Sequence, residues 1–151
     1  MASETASQRD VTTETGLEAW QAGVVGGLLG GVAFGVLMVM MAPEMIELMI
    51  PSMYGLEGGV AGWIVHLSHA AVLGVVFAAI LAAVGRPHLG IAPAAGAGVA
   101  YGVVVWAGLA VVVMPVWLGM PEMVPNLDVG SLVGHAVYGL ILGVAYAALS
   151  R

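Results

Sequence analysis

The sequence contains no cysteine and no lysine, and its positive charge comes from only three arginines. Without cysteine, disulfides, zinc–thiolate sites and iron–sulfur clusters are excluded, so any bound metal or cofactor must use other ligands. The shortage of cations argues against nucleic acid as a partner, because phosphate binding needs clustered Lys and Arg, whereas the formal net charge here is -6. We therefore expect no nucleic-acid partner.

Catalytic motifs are also missing. The chain has no GxSxG nucleophile turn, no HExxH metal-binding motif, no phosphate-binding loop and no kinase motif. A hydrolase or phosphotransferase would have no residues to carry its chemistry. The sequence therefore predicts a protein that is not an enzyme.

Apolar residues make up 61% of the chain and charged residues only 8%. No charged side chain occurs within residues 58–85 or 89–121. A helix that crosses the hydrocarbon core needs about 20 apolar residues. Four segments meet this requirement, at residues 22–42, 60–84, 93–117 and 129–150. The predicted fold is an all-α membrane protein with four transmembrane helices, located in the cell membrane.

The predicted organisation is a soluble, acidic N-terminal tail at residues 1–20, followed by the transmembrane domain at residues 21–151. Arg9, Arg86 and Arg151 fall in the tail, the middle loop and the C-terminus, which four crossings place on one side of the membrane. Cytoplasmic loops carry the excess of Lys and Arg. Both termini are therefore predicted to be cytoplasmic.

The chain also repeats itself. LGVVFAAI in the second span matches LGVAYAAL in the fourth at a shift of 69, which places His66 on His135, and GVAFGV in the first span matches GVAYGV in the third at a shift of 67. We expect two tandem hairpins, at about residues 22–85 and 91–151. Two spans per copy give both copies the same orientation, so the bundle is expected to be pseudo-twofold symmetric about the membrane normal.

Small residues spaced four apart predict the faces on which the spans pack, because helix association in lipid depends on close backbone approach. His66 and His135 lie on such stripes of the second and fourth spans, which points both imidazoles inward. The predicted packing glycines are Gly23, Gly27, Gly31, Gly35, Gly74, Gly98, Gly102, Gly139 and Gly143.

An ionisable side chain within a span is a functional hypothesis by default. Two imidazoles related by a twofold axis suit a six-coordinate haem b, and the same pair suits a copper ion or a quinone hydroxyl. The alternative is that each histidine donates a hydrogen bond to a facing carbonyl or hydroxyl and only joins helices. His69 corresponds to Tyr138, so it lacks a symmetric partner and is predicted to be a satisfied polar contact.

Methionines form a second candidate metal site. All except Met1 lie near the predicted outer ends of the first and third spans. Thioethers are soft ligands that select Cu(I), although methionine is also a flexible apolar gap filler, and an amphipathic extension after Pro43 is the alternative. The predicted metal ligands are His66, His135, Met45, Met49, Met120 and Met123.

Two stretches carry a resemblance: YGLEGGVAGWIVHLSHAAVLGVVFAA from Tyr54 and SLVGHAVYGLILGVAYAAL from Ser131. With them the chain resembles a group of small, uncharacterised four-span membrane proteins of halophilic archaea, over almost everything after the tail. The resemblance implies a four-span fold and no established activity. Some members are labelled histidine kinases, but this chain has neither a phosphoacceptor box nor a nucleotide-binding domain.

The sequence thus predicts a non-enzymatic membrane binding or accessory protein, with His66 and His135 as its interior site. One alternative is a small transporter or channel, in which the histidines and the outer carboxylates line a polar path. Another is a purely structural subunit of a larger membrane complex. Long glycine faces favour helix association, so the partners left open are a second copy of the chain, in a homo-oligomer, or the other subunits of a larger membrane complex.

Overall fold

The computed structural model describes residues 16–150, which form four long helices and no strand. All four are long and apolar enough to cross a membrane, which confirms the predicted all-helical architecture and indicates a multi-pass membrane protein. Most of the predicted tail, residues 1–15, lies outside the described residues. The helices are α1 (Ala19–Met41), α2 (Gly59–Ala83), α3 (Ile91–Trp117) and α4 (Val129–Leu149).

Local sequence explains where these helices begin and end. Before α1, the backbone N–H of Glu18 donates to the side chain of Gln21 at 3.0 Å, in a reciprocal capping box. Before α4, the carboxylate of Asp128 accepts from the backbone N–H of Ser131 at 2.6 Å. After α2, Gly85 takes a φ of 71°, a left-handed conformation that ends helices and that glycine adopts without steric cost.

The connection between α1 and α2 folds back over the bundle. The helix breaks at Ala42, and a short helical segment follows, with a π-helical turn at Met45–Met49 and an α-helical turn at Ile50–Ser52. Ile46 is 1% exposed, and its carbonyl oxygen packs directly on the backbone of Gly62 in α2. Gly62 thus allows this segment to dock on the bundle.

The order of the helices across the bundle is α2, α1, α4, α3. The two inner helices are α1, which packs against α2 and α4, and α4, which packs against α1 and α3. Side chains bridge α2 and α3: the rings of Phe77 and Tyr101 are 5.4 Å apart, and the Tyr101 hydroxyl donates to the Leu73 carbonyl at 2.8 Å. In its most apolar stretch α3 is 22% buried, against 39% for α1 and α2, so it is the least buried of the four helices.

The two described ends of the chain lie side by side. The backbone N–H of Leu17 donates to the Leu149 carbonyl at 2.9 Å, and Leu17 pairs with Ser150 in an isolated parallel bridge. The Tyr146 hydroxyl donates to the carbonyl of Pro87, in the loop between α2 and α3, at 2.7 Å. The two ends and this loop therefore share one side of the bundle.

Glycines bring the helix backbones into contact. A Cβ atom at Gly23 would lie 2.5 Å from the Gly74 oxygen of α2, and one at Gly30 would lie 2.6 Å from the Tyr138 oxygen of α4. The α3–α4 pair is joined in the same way, with Gly98 against the backbone of Gly139. The predicted packing glycines all face a neighbouring helix: Gly23, Gly27, Gly74, Gly98, Gly102, Gly139 and Gly143 meet its backbone, whereas Gly31 and Gly35 meet side chains, those of Ala70 and Trp63.

Candidate functional site

The two candidate histidines meet around one aromatic ring inside the bundle. His66 on α2 is 9% exposed, and His135 on α4 is partly buried. The Phe34 ring of α1 contacts both imidazoles edge to face, with centroids 5.7 Å from His66 and 4.8 Å from His135. Phe34 fits there because Gly134 has no side chain, since a Cβ atom at that position would collide with the ring.

The hydrogen bonds of the two histidines determine which nitrogen carries the proton. His66 Nε2 lies 2.9 Å from the Gly31 carbonyl, and His135 Nδ1 lies 2.8 Å from the Ser131 carbonyl. A carbonyl oxygen can only accept, so each of these nitrogens is the donor. The lone pair of a neutral ring is therefore on Nδ1 of His66 and on Nε2 of His135.

The hydrogen bonds of His66 and His135 to backbone carbonyls are of the kind that metal-binding histidines make. Histidines that bind metals donate their other N–H to a carbonyl or carboxylate, which sets the tautomer and the ring orientation. Both His66 and His135 make that supporting bond. A six-coordinate haem would be harder to place here, because Phe34 contacts both rings and the Nε2 atom of His66 is already bonded to Gly31.

The predicted methionine ligands lie on the connections that follow α1 and α3. Met45 and Met49 bound the π-helical turn after α1 and are half-buried. Met120 and Met123 lie at the short turn after α3, where Met123 is 43% exposed. Across residues 16–150, no three His, Asp or Glu side chains are grouped closely enough to hold a metal ion. The methionine part of the ligand set stays a prediction.

Tyrosine hydroxyls form polar contacts that the sequence reasoning missed. Tyr138 donates to the Ala70 carbonyl at 2.9 Å, and Tyr101 donates to the Leu73 carbonyl at 2.8 Å, so α4 and α3 are both bonded to the backbone of α2. A signal was present in the repeat, because several core positions pair a tyrosine with a residue of another type. These pairs are Phe34 with Tyr101, Phe77 with Tyr146 and His69 with Tyr138.

His69 lies apart from the interior pair. Its Nε2 atom is 2.7 Å from the Tyr54 hydroxyl, so it has the polar partner that was predicted for it. The Tyr54 ring also lies 5.6 Å from the Trp117 ring, whose Nε1–H donates to the Met53 carbonyl at 2.8 Å. These contacts join the connection between α1 and α2 to the end of α3.

No family model matches the chain, and neither a curated protein nor a solved structure matches it. The resemblance to small membrane proteins of halophilic archaea therefore stays a prediction. The function must be argued from the residues of the site.

Proposed function

We propose that this chain is a non-enzymatic accessory protein of the cell membrane that binds a copper ion through His66 and His135. The observation that supports this proposal is the hydrogen bonding of the two rings. Each imidazole uses one nitrogen to bond a backbone carbonyl and keeps the lone pair of the other, and both rings contact the same side chain, Phe34. Copper is then held by nitrogen ligands alone.

Charge favours Cu(I) over a divalent ion. Two neutral imidazoles leave the whole charge of the ion uncompensated, and the cost of placing a charge in an apolar medium rises with the square of that charge. A monovalent ion is therefore much less costly at this depth than Zn²⁺ or Cu²⁺. Imidazole is a common copper ligand, and Cu(I) accepts as few as two ligands.

Haem b fits His66 and His135 less well than copper does. The macrocycle needs a flat slot between helices, whereas α1 packs on both neighbours through contacts between glycines and carbonyl oxygens. Phe34 is also only 8% exposed and well packed. Haem binding would require that ring to move and the bond from His66 to Gly31 to break.

Isosteric variants separate a ligand role from a packing role. His66→Gln keeps a donor for the Gly31 carbonyl, and His135→Asn keeps a donor for the Ser131 carbonyl, but both remove the free ring nitrogen. We expect the protein, loaded with Cu(I) under reducing conditions, to hold one copper ion per chain by metal analysis. Both variants should fold normally and lose the ion, whereas His88→Gln, in the exposed middle loop, should retain it.

Two results would contradict copper binding. One is an unchanged copper content in the double variant His66→Gln/His135→Asn. The other is a Soret band in protein purified from native membranes that is lost in the same variants, which would assign the pair to haem. If neither copper nor haem binds and only stability responds to His66→Ala, the histidines join helices and nothing more.

The proposal also includes cytoplasmic termini, for which the three arginines are the support. Because the chain has no cysteine, each introduced cysteine is a unique reporter of sidedness. In intact cells, Glu57→Cys and Glu122→Cys should react with an impermeant maleimide, and His88→Cys should react only after permeabilisation. The reverse pattern would place the termini outside.

A structural subunit is the second candidate, and the exposed face of α3 favours it. A Cβ atom added at Gly96 or Gly108 would have no neighbouring atom within 4 Å, although glycines at helix surfaces in lipid favour association. Native mass spectrometry from lipid nanodiscs should then show an assembly larger than one chain that Gly96→Val weakens. A transporter or channel has less support, because large side chains fill the interior: Tyr146, Phe77, Ile46, Leu142 and Pro51.

A further inference from the structure

A second polar site lies on the membrane-facing side of α2, away from the interior histidines. Here the Tyr54 hydroxyl and His69 Nε2 are 2.7 Å apart, and both side chains line an open cavity of about 280 Å³. The remaining lining residues are Leu56, Ile64, Val65 and Ser68. We call this the Tyr54–His69 cavity.

The Tyr54–His69 pair has one more hydrogen-bond donor than its mutual hydrogen bond uses. Tyr54 carries one O–H and a neutral His69 carries one N–H, so the pair has two donors, and their mutual hydrogen bond uses only one. If Tyr54 donates, the ring N–H of His69 is free; if His69 donates, the hydroxyl is free. With a protonated imidazole the pair would have three donors, and two of them would be free. No other side-chain hydrogen bond of either residue is seen within residues 16–150.

The depth of the pair makes a spare donor costly. His69 is the eleventh of the 25 residues of α2, so it lies about 15 Å along the helix axis from Gly59. For a span that starts at the membrane surface at Gly59, that distance lies beyond the headgroup region and within the hydrocarbon layer. A polar hydrogen left without an acceptor there costs free energy, which a bound acceptor would recover.

The walls of the cavity define the acceptor. Most of the lining surface is apolar, and the centroid of the Tyr54 ring lies 5.6 Å from that of the Trp117 ring. Arg86, the one arginine within residues 16–150, follows the far end of α2, so no guanidinium is placed to balance an anionic headgroup. The ligand must therefore be neutral, lipid-soluble and able to accept a hydrogen bond deep in the membrane.

We infer that the Tyr54–His69 cavity binds the headgroup of a membrane quinone, with one ring carbonyl accepting the spare proton of the pair. At about 280 Å³ the cavity is slightly smaller than typical small-molecule sites of about 300–1,000 Å³, which suits a single substituted ring whose tail stays in the lipid. Phospholipid ester carbonyls are less suitable, since they lie nearer the headgroups than His69 does. The inference does not depend on copper binding at His66 and His135.

Decylubiquinone is a direct probe for the full chain in lipid nanodiscs. Titration should quench tryptophan fluorescence with a saturable component, and Trp117→Phe should remove that component because Trp117 lies beside Tyr54. Each of Tyr54→Phe and His69→Leu leaves one donor, so neither alone should abolish binding. The double variant leaves none and should weaken binding about tenfold, the effect of losing one hydrogen bond.

A pair of size variants tests the cavity without touching the hydrogen bond. Ile64→Phe narrows the cavity from a residue that is 62% exposed, and Ile80→Phe makes the same change on the same helix outside it, where Ile80 is 45% exposed. The first should weaken quinone binding and the second should not. Circular dichroism and thermal unfolding of each variant check that the fold is retained.

Quenching that never saturates, or that is equal in the parent and the double variant, would overturn the quinone assignment. So would a lipid that co-purifies with the parent and is lost from the double variant while decylubiquinone does not bind, because the cavity would then belong to a lipid carbonyl. Loss of copper from the His66 and His135 variants with quinone binding intact would show that the two proposals stand separately.

Discussion

The α1–α4 and α2–α3 contacts correspond to each other in the predicted duplication, yet they are built differently. Between α1 and α4 the backbones touch, with Gly30 against the Tyr138 carbonyl. Between α2 and α3 the backbones stay apart, and the side chains of Phe77 and Tyr101 bridge the space. At the shift of 67, Gly30 corresponds to Ala97.

The difference means that two hairpins of similar sequence pack unequally in this bundle. In lipid there is little hydrophobic drive between helices, so close approach depends on positions without side chains. Helix α1 has two glycine faces, one with Gly27 toward α2 and one with Gly26 toward α4. At the corresponding positions of its second face, α3 has Pro93 and Ala97. The second glycine face of α1 therefore brings its backbone against α4, whereas α3 lacks such a face and does not approach α2 as closely.

The largest effect on stability is expected at the α1–α4 contact, where the helix backbones touch. In Gly30→Ala the new Cβ atom would lie 2.6 Å from the Tyr138 oxygen and 3.0 Å from its ring, and a backbone carbonyl in a packed helix cannot move aside easily. We expect a loss of about 1–3 kcal/mol in the free energy of unfolding, measured by reversible denaturation in mixed micelles.

Gly96→Ala is the matched control, because Gly96 on α3 has no atom within 4 Å of the new methyl group. It should be neutral, or slightly stabilising because alanine favours helix. Equal losses of unfolding free energy in Gly30→Ala and Gly96→Ala would mean that the close approach of α1 and α4 does not depend on glycine at position 30.

A smaller effect is expected from the tyrosine hydroxyls. Tyr138→Phe removes a bond to Ala70 from a residue that is 3% exposed, and Tyr101→Phe removes the bond to Leu73 that helps hold α3 on α2. Each should cost about 1 kcal/mol. Only Tyr101→Phe should speed hydrogen exchange selectively in α3, because few other contacts join that helix to α2. Uniform exchange in both variants would show that α3 is held as firmly as α4.

The smallest changes in stability are expected for the two tryptophans of α3, where only the loss of Trp117 should destabilise the fold. Trp106 Nε1 is buried without a hydrogen-bond partner among the described residues, whereas Trp117 Nε1 donates to Met53 at 2.8 Å. Trp106→Phe removes an unpaired donor and should be neutral or stabilising, while Trp117→Phe should destabilise by about 0.5–1.5 kcal/mol. Thermal unfolding monitored by circular dichroism measures both. A loss in Trp106→Phe larger than that in Trp117→Phe would contradict the assignment of partners.

The spans were predictable almost to the residue. The first was predicted at residues 22–42 and is Ala19–Met41, and the last was predicted at residues 129–150 and is Val129–Leu149. Apolar length is a local property, so no knowledge of neighbours was needed. The inward stripe of His66 followed from helical spacing for the same reason.

Contacts between helices were less predictable. A spacing of four identified the face of α1 that includes Gly27, but Gly26 and Gly30 form a second face whose meaning depends on a second neighbour. The position of Phe34 against both histidines was also missed, because it depends on Gly134 in a different helix. These features need relative positions that one helix alone does not contain.

The sequence by itself determined the four apolar helices, the turns that separate them and the stripes on which small residues lie, since each depends on residues close together along the chain. Only the tertiary structure decided that α1 and α4 are the inner helices, that the rings of His66 and His135 both contact Phe34, and that Tyr54 bonds His69. The physical reason is that a hydrogen bond or a backbone contact depends on distance in space, to within a few tenths of an ångström, and that distance is set by how separate segments pack.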